Sequence, residues 1–175
     1  MQRCTFPLLV ILILAAVVAT TSTPAAILPE NGPSASGAGQ FRYFSPDTER
    51  TEIWSFSFEA IANKNGQTRG RAYFVNLTAQ KEIVVRINCL SVQSFSLPAG
   101  VILDAGMTGK VLHSDYPHLP KSTTVAFAAI DGPLWGFGTD TITPVFEFPF
   151  PELDCSYAQP LTILAVENGD IEIQP

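Results

Sequence analysis

The chain has 175 residues, of which 46% are apolar and only 15% charged, and its formal net charge is −6. That balance argues against a disordered chain, and against a nucleic acid or an anionic membrane as a partner held by bulk electrostatics. It leaves a globular domain with a sizeable core.

Taken in chain order, the first segment is a leader. Arg3 supplies a basic start, Leu8 to Ala19 is an unbroken apolar run, and small and hydroxylated residues follow through Ala26. This is the layout of a secretory signal peptide, assigned to residues 1–25, with small residues for cleavage at Ala19 or Ala25. The run is about a dozen residues long where a spanning helix needs roughly 20, so an uncleaved anchor is the weaker reading and no membrane association is expected after cleavage. Cleavage removes Arg3 and takes the charge from −6 to −7. Residues 26–39, rich in Pro, Gly, Ser and Ala, read as a flexible segment, and residues 40–175 as a single β domain.

The domain reads as strands and turns. Trp54, Phe56, Phe58, Ala60 and Ala62 alternate with Ser55, Ser57 and Glu59, the period of a half-buried strand. Asn65-Gly66 predicts a tight turn, and Thr68 to Leu77 returns with Ala72 and Phe74 on the apolar face. Lys81 to Phe95 is a long strand with Ile83, Val85, Ile87 and Cys89 on one side, and its length predicts a bulge near Asn88. Further strands are expected at Val101–Asp104, Thr124–Ile130, Thr141–Phe148 and Leu161–Val166, the last turning at Asn168-Gly169 into a closing hairpin with Ile171–Ile173. The expected fold is all-β, an antiparallel sandwich or partly closed barrel of about eight strands.

Cysteine arithmetic follows from export. The leader carries off Cys4 and leaves Cys89 and Cys155, an even pair in a compartment where disulfides persist.

For chemistry, the sequence has no nucleophile elbow, zinc-protease helix, phosphate loop or calcium loop. With two histidines in all, acid–base catalysis would rest on His113, His118 or carboxylates alone. Three constellations remain. His113, Asp115 and His118 could ligate zinc or copper if their loop folded back, or could be solvated. Asp131 and Asp140 flank a Gly-rich loop carrying Trp135 and Phe137, a possible carboxylate pair with a stacking platform for a sugar, or a turn with ordinary capping roles. Trp54, Phe56, Phe58, Phe74, Phe127 and Phe146 could line an interior cavity or fill a core. Arg69 with Arg71 is the one candidate basic patch, or the wet face of a strand. Asn76-Leu77-Thr78 is a glycosylation sequon, meaningful only in a eukaryotic secretory pathway.

Several motifs in order, Gly37-Ala-Gly-Gln-Phe41, Trp54-Ser-Phe-Ser-Phe58, Asn65-Gly-Gln-Thr-Arg-Gly70, Ile87-Asn-Cys-Leu-Ser-Val92, Ala128-Ala-Ile-Asp-Gly132, Asp140, Cys155 and Gly169-Asp-Ile-Glu-Ile173, resemble a group of small secreted bacterial proteins of uncharacterised function. The resemblance covers nearly the whole mature chain and implies a single extracellular β domain, bacterial export and the cysteine pairing. It carries over no catalytic residue. Met107–Pro120 and Pro133–Gly138 depart from the pattern.

The expectation from these readings is a secreted, non-catalytic binding or interaction module without cofactor, recognising an extracellular ligand or protein through Asp131, Trp135, Phe137 and Asp140. A barrel for a small apolar ligand and a carbohydrate-active or metal-dependent enzyme are the alternatives.

Overall fold

The structure is a computed structural model that describes residues 32–46, 48–98, 100–132, 138–149, 155–157 and 162–175. The leader, residues 26–31 of the segment after it, and Trp135 and Phe137 lie outside the described residues.

Six long strands follow one another as antiparallel neighbours: β1 (Ser34–Ser45), β2 (Arg50–Ala62), β3 (Thr68–Asn76), β4 (Lys81–Leu97), β5 (Gly100–Ser114) and β6 (Thr124–Asp131). Four short strands complete the sheet: β7 (Thr141–Ile142), β8 (Phe146–Glu147), β9 (Leu164–Ala165) and β10 (Asp170–Gln174). The strand order is β10-β1-β2-β3-β4-β5-β6-β7-β9, with β8 on β6. The fold is thus one curled antiparallel sheet, a half-barrel, and not two packed sheets. Among the described residues it holds ten strands where about eight were expected. The Thr141–Phe148 strand breaks into β7 and β8 around Pro144, which has no amide to give a ladder.

The topology forces the curl. β9 and β10 stand at opposite ends of the strand order, yet only residues 166–169 join them. Four residues span at most about 14 Å, so the two ends of the sheet must come round to each other. The closing hairpin expected at Asn168-Gly169 is therefore not formed: β9 pairs with β7 and β10 with β1. The connection instead crosses β1, where Glu167 N–H donates to Gln40 O at 2.8 Å. A Cβ on Gly169 would lie 2.0 Å from Ala38 O, so only glycine permits this crossing.

β1 begins at Ser34, within the stretch that composition assigns to a flexible segment. A Cβ on Gly37 would meet Ile171 and Phe58, and one on Gly39 would meet Val166 and Asn168. Here the small residues mark close approach at the join, not slackness.

The interior is filled. Phe56, Phe58, Phe74 and Phe127 are all buried, and Phe127 meets Phe58 and Phe74 edge-on at 5.7 and 5.1 Å. These rings form a core and do not surround a cavity. Phe146 lies apart from them, packed on Ala126 and Phe148 on the other face of β6. The bulge expected near Asn88 is present as a register shift between Ile87 and Cys89. It changes the parity of β4, so Leu90 turns inward and Cys89 leaves the face it would otherwise share with Ile83 to Ile87. Cys89 is there bonded to Cys155, with 5.9 Å between Cα atoms.

Candidate binding site

Three connections open at one end of the half-barrel: β1–β2, β3–β4 and β5–β6. Between them lies a cavity of about 400 Å³. That is within the range of small-ligand sites.

Its floor is polar. Glu52 shares the inward parity of Trp54 and Phe56, and only 8% of its surface is exposed. Its carboxylate accepts from Asn76 Nδ2 at 2.7 Å, Trp54 Nε1 at 3.3 Å and Thr48 Oγ1 at 3.2 Å. Among the described residues no cationic side chain forms an ion pair with it. Asn76, paired with Trp54 across β2 and β3, is 1% exposed. Its second amide hydrogen goes to Tyr116 Oη at 3.0 Å, and its carbonyl accepts the amides of Thr78 and Ala79. Every bond an asparagine can make is made. A glycan on this sequon could not coexist with that network, so the folded domain has no use for the glycosylation reading.

The walls are aromatic. Trp54 lies between Phe41 and Tyr116, with ring centroids 6.2 and 5.8 Å away and planes within 18°. Tyr116 belongs to the β5–β6 connection and is fixed by its own amide, which donates to Ser114 Oγ at 3.0 Å. Leu119 from the same connection is buried in the main core and anchors it over the mouth. Burial pushes the Tyr116 phenol above its ordinary value; the bond from Asn76 opposes this, and the charges of Glu52 and Asp115 add to it. The Lys81 ammonium sits 5.0 Å from the Tyr116 ring centroid.

The expected metal set does not assemble. His113 is on the outer wall, its Nε2 3.4 Å from both Glu82 and Asp115. His118 lines the cavity and meets Tyr116 edge-on at 5.6 Å. Strand parity and the short turn Tyr116–Leu119 send the two rings to different surfaces, and among the described residues no three His, Cys, Asp or Glu side chains are placed to hold a metal ion.

Asp131 and Asp140 lie at the other end of the barrel and are occupied with backbone. Asp140 accepts the amides of Gly132 at 3.0 Å and Ile171 at 2.9 Å, and Asp131 accepts that of Ile173 at 3.1 Å. They tie the β6–β7 connection to β10. Arg69 and Arg71 line an open groove of about 640 Å³ on the outer wall, where Arg71 donates to Tyr73 Oη at 2.9 Å and lies over its ring.

Glu52 and Tyr116 were not among the residues the sequence pointed to, and Asn76 was singled out only as a glycosylation acceptor. A signal for two of them was present: Glu52 and Asn76 are polar residues at positions whose parity is otherwise apolar.

No protein-family model, curated protein or solved structure matches the chain.

Proposed function

We propose that this protein is an exported, non-catalytic binding module that takes a small molecule into the mouth of its half-barrel. The observation that carries this reading is the buried Glu52–Asn76–Tyr116 network facing a cavity with aromatic walls. A polar cluster withdrawn from water costs stability unless fully paired, and apolar residues at those positions would fill the same space more cheaply. A binding role accounts for polar groups converging on an open cavity. Export is supported by the apolar leader and by the Cys89–Cys155 bond, which an oxidising compartment preserves.

The test is native mass spectrometry of the disulfide-intact protein, followed by a fragment-library screen, with Ala79→Phe as the control. Ala79 lines the cavity from an exposed turn, so a phenyl group there occupies the mouth without entering the core. Ligands that bind the parent and not Ala79→Phe, at equal thermal stability, support the reading. A screen without ligands, or ligands indifferent to Ala79→Phe, refutes it.

A further inference from the structure

We infer that the molecule held in this mouth carries a primary ammonium group on an apolar body, an inference that rests on the binding-module reading above. Three observations converge. The first is the sign of the floor: Glu52 is a carboxylate more than nine-tenths buried, with three neutral donors and no cationic partner among the described residues. Neutral donors stabilise a buried carboxylate but leave its net charge uncompensated, so a cation entering the cavity gains more there than at the surface.

The second is capacity. An ionised carboxylate offers about four acceptor positions. Here Oε2 takes Trp54 and Asn76 while Oε1 takes Thr48 alone, which leaves room on Oε1 for one more N–H donor. A quaternary ammonium could not use that position; a protonated primary amine could.

The third is the seat itself. The chain's own ammonium, on Lys81, already rests on the Tyr116 ring at 5.0 Å, the arrangement expected of a cation on an electron-rich face. Lys81 is exposed and at the rim, held by no ion pair among the described residues, so a stronger cation displaces it at little cost. It acts as an occupant of the free site. Among the described residues the one other basic group lining the cavity is His118, which meets the Tyr116 ring edge-on and forms no ion pair with Glu52.

The experiment compares three probes of one shape and different charge: butylammonium, butanol and butyrate. Binding is followed by the Trp54 indole N–H resonance, assigned with Trp135→Phe, because that proton is hydrogen-bonded to Glu52. Butylammonium is expected to bind at least about tenfold more tightly than butanol, with butyrate weakest. Glu52→Gln should remove that preference. Lys81→Met, a rim substitution that leaves the floor intact, should strengthen butylammonium binding several-fold. Equal binding of all three probes, preference for butyrate, or weaker butylammonium binding in Lys81→Met would each overturn the ammonium assignment. If these probes fail while the fragment screen yields ligands sensitive to Ala79→Phe, only the ammonium assignment falls. If that screen is also empty, the binding-module reading falls with it.

Discussion

Asp140 Oδ2 accepts the backbone amide of Ile171 at 2.9 Å, so a side-chain carboxylate stands where a closed barrel would place the carbonyl of a neighbouring strand. Its other oxygen holds Gly132, and Asp131 repeats the device on Ile173. Among the described residues β10 has a ladder partner only in β1, and on its β6 side these carboxylates supply the bonds. Asp140→Ala deletes two charge-assisted bonds at once and is expected to cost about 3 kcal/mol in urea unfolding. Asp140→Asn should recover part of that, because its amide oxygen still accepts one amide. Faster hydrogen exchange at Ile171 and Gly132 would accompany both. An alanine variant as stable as the parent would mean that the buried Val166, Ile171 and Ile173 hold the join without them.

The Cys89–Cys155 bond closes a loop of 66 residues that runs from the bulge of β4 through β5 and β6. In the chain-entropy account such a loop stabilises the fold by about 4 kcal/mol. Reduction, or Cys89→Ala with Cys155→Ala, should therefore lower the urea midpoint substantially. The loss should be felt first at the 3-10 turn Cys155–Tyr157, which packs on β4 and β5. A reduced protein with an unchanged midpoint would show that the unfolded chain gains little freedom from the missing bond.

How much of this was legible in the residues depends on the distance over which each feature is decided. The faces of β2 and β3 follow from a period of two, and Trp54 to Ala62 and Ala72 to Phe74 point as alternation predicts. The turn at Gly66 was legible too, although the loop is longer than a two-residue hairpin: Asn63 Oδ1 gathers the amides of Asn65 and Gln67, and Gly66 takes a φ of 74°. The disulfide followed from counting. The fate of Asn168-Gly169 did not, because the same dipeptide serves a hairpin or a crossing, and only the position of β1, against which Gly169 takes a φ of 155°, decides between them. The strand over Ser34–Gly39 was hidden for a related reason: Gly37 and Gly39 are small because Ile171 and Val166, far along the chain, leave no room. The mouth is not legible in the apolar alternation, which starts at Trp54, two residues after Glu52, and so passes over an inward carboxylate.

Asn76 offers a sharp test of the mouth's electrostatics. Asn76→Asp preserves shape but replaces a donor with an acceptor 2.7 Å from Glu52 Oε2. At neutral pH two carboxylates would then share a buried site, and the expected cost is about 3 kcal/mol or more. Protonating one of the pair restores a donor, so the gap from the parent should narrow as the pH is lowered. Stability curves of the two proteins against pH would show this directly, and a gap independent of pH would mean that the cost lies in the lost Nδ2 bonds to Glu52 and Tyr116 and not in repulsion between two carboxylates.

Asp104 on β5 is the opposite case, a carboxylate with too little around it. Its Oδ1 is buried without a hydrogen-bond partner among the described residues, and desolvation raises its pKa above the ordinary aspartate value. A raised value in the folded state means that folding favours the protonated form. The associated stability is complete below the unfolded-state pKa of about 3.9 and is lost as the pH rises through the higher folded value. At neutral pH the ionised Asp104 therefore works against the fold. Asp104→Asn keeps the shape and removes the charge, so it should match the parent in acid and exceed it at neutral pH, the difference opening across the interval between the two pKa values. Thermal unfolding of both proteins over that range measures the effect. A constant difference would place the ionised carboxylate in contact with solvent, and a parent that is the more stable at neutral pH would mean that Asp104 has a cationic partner in solution.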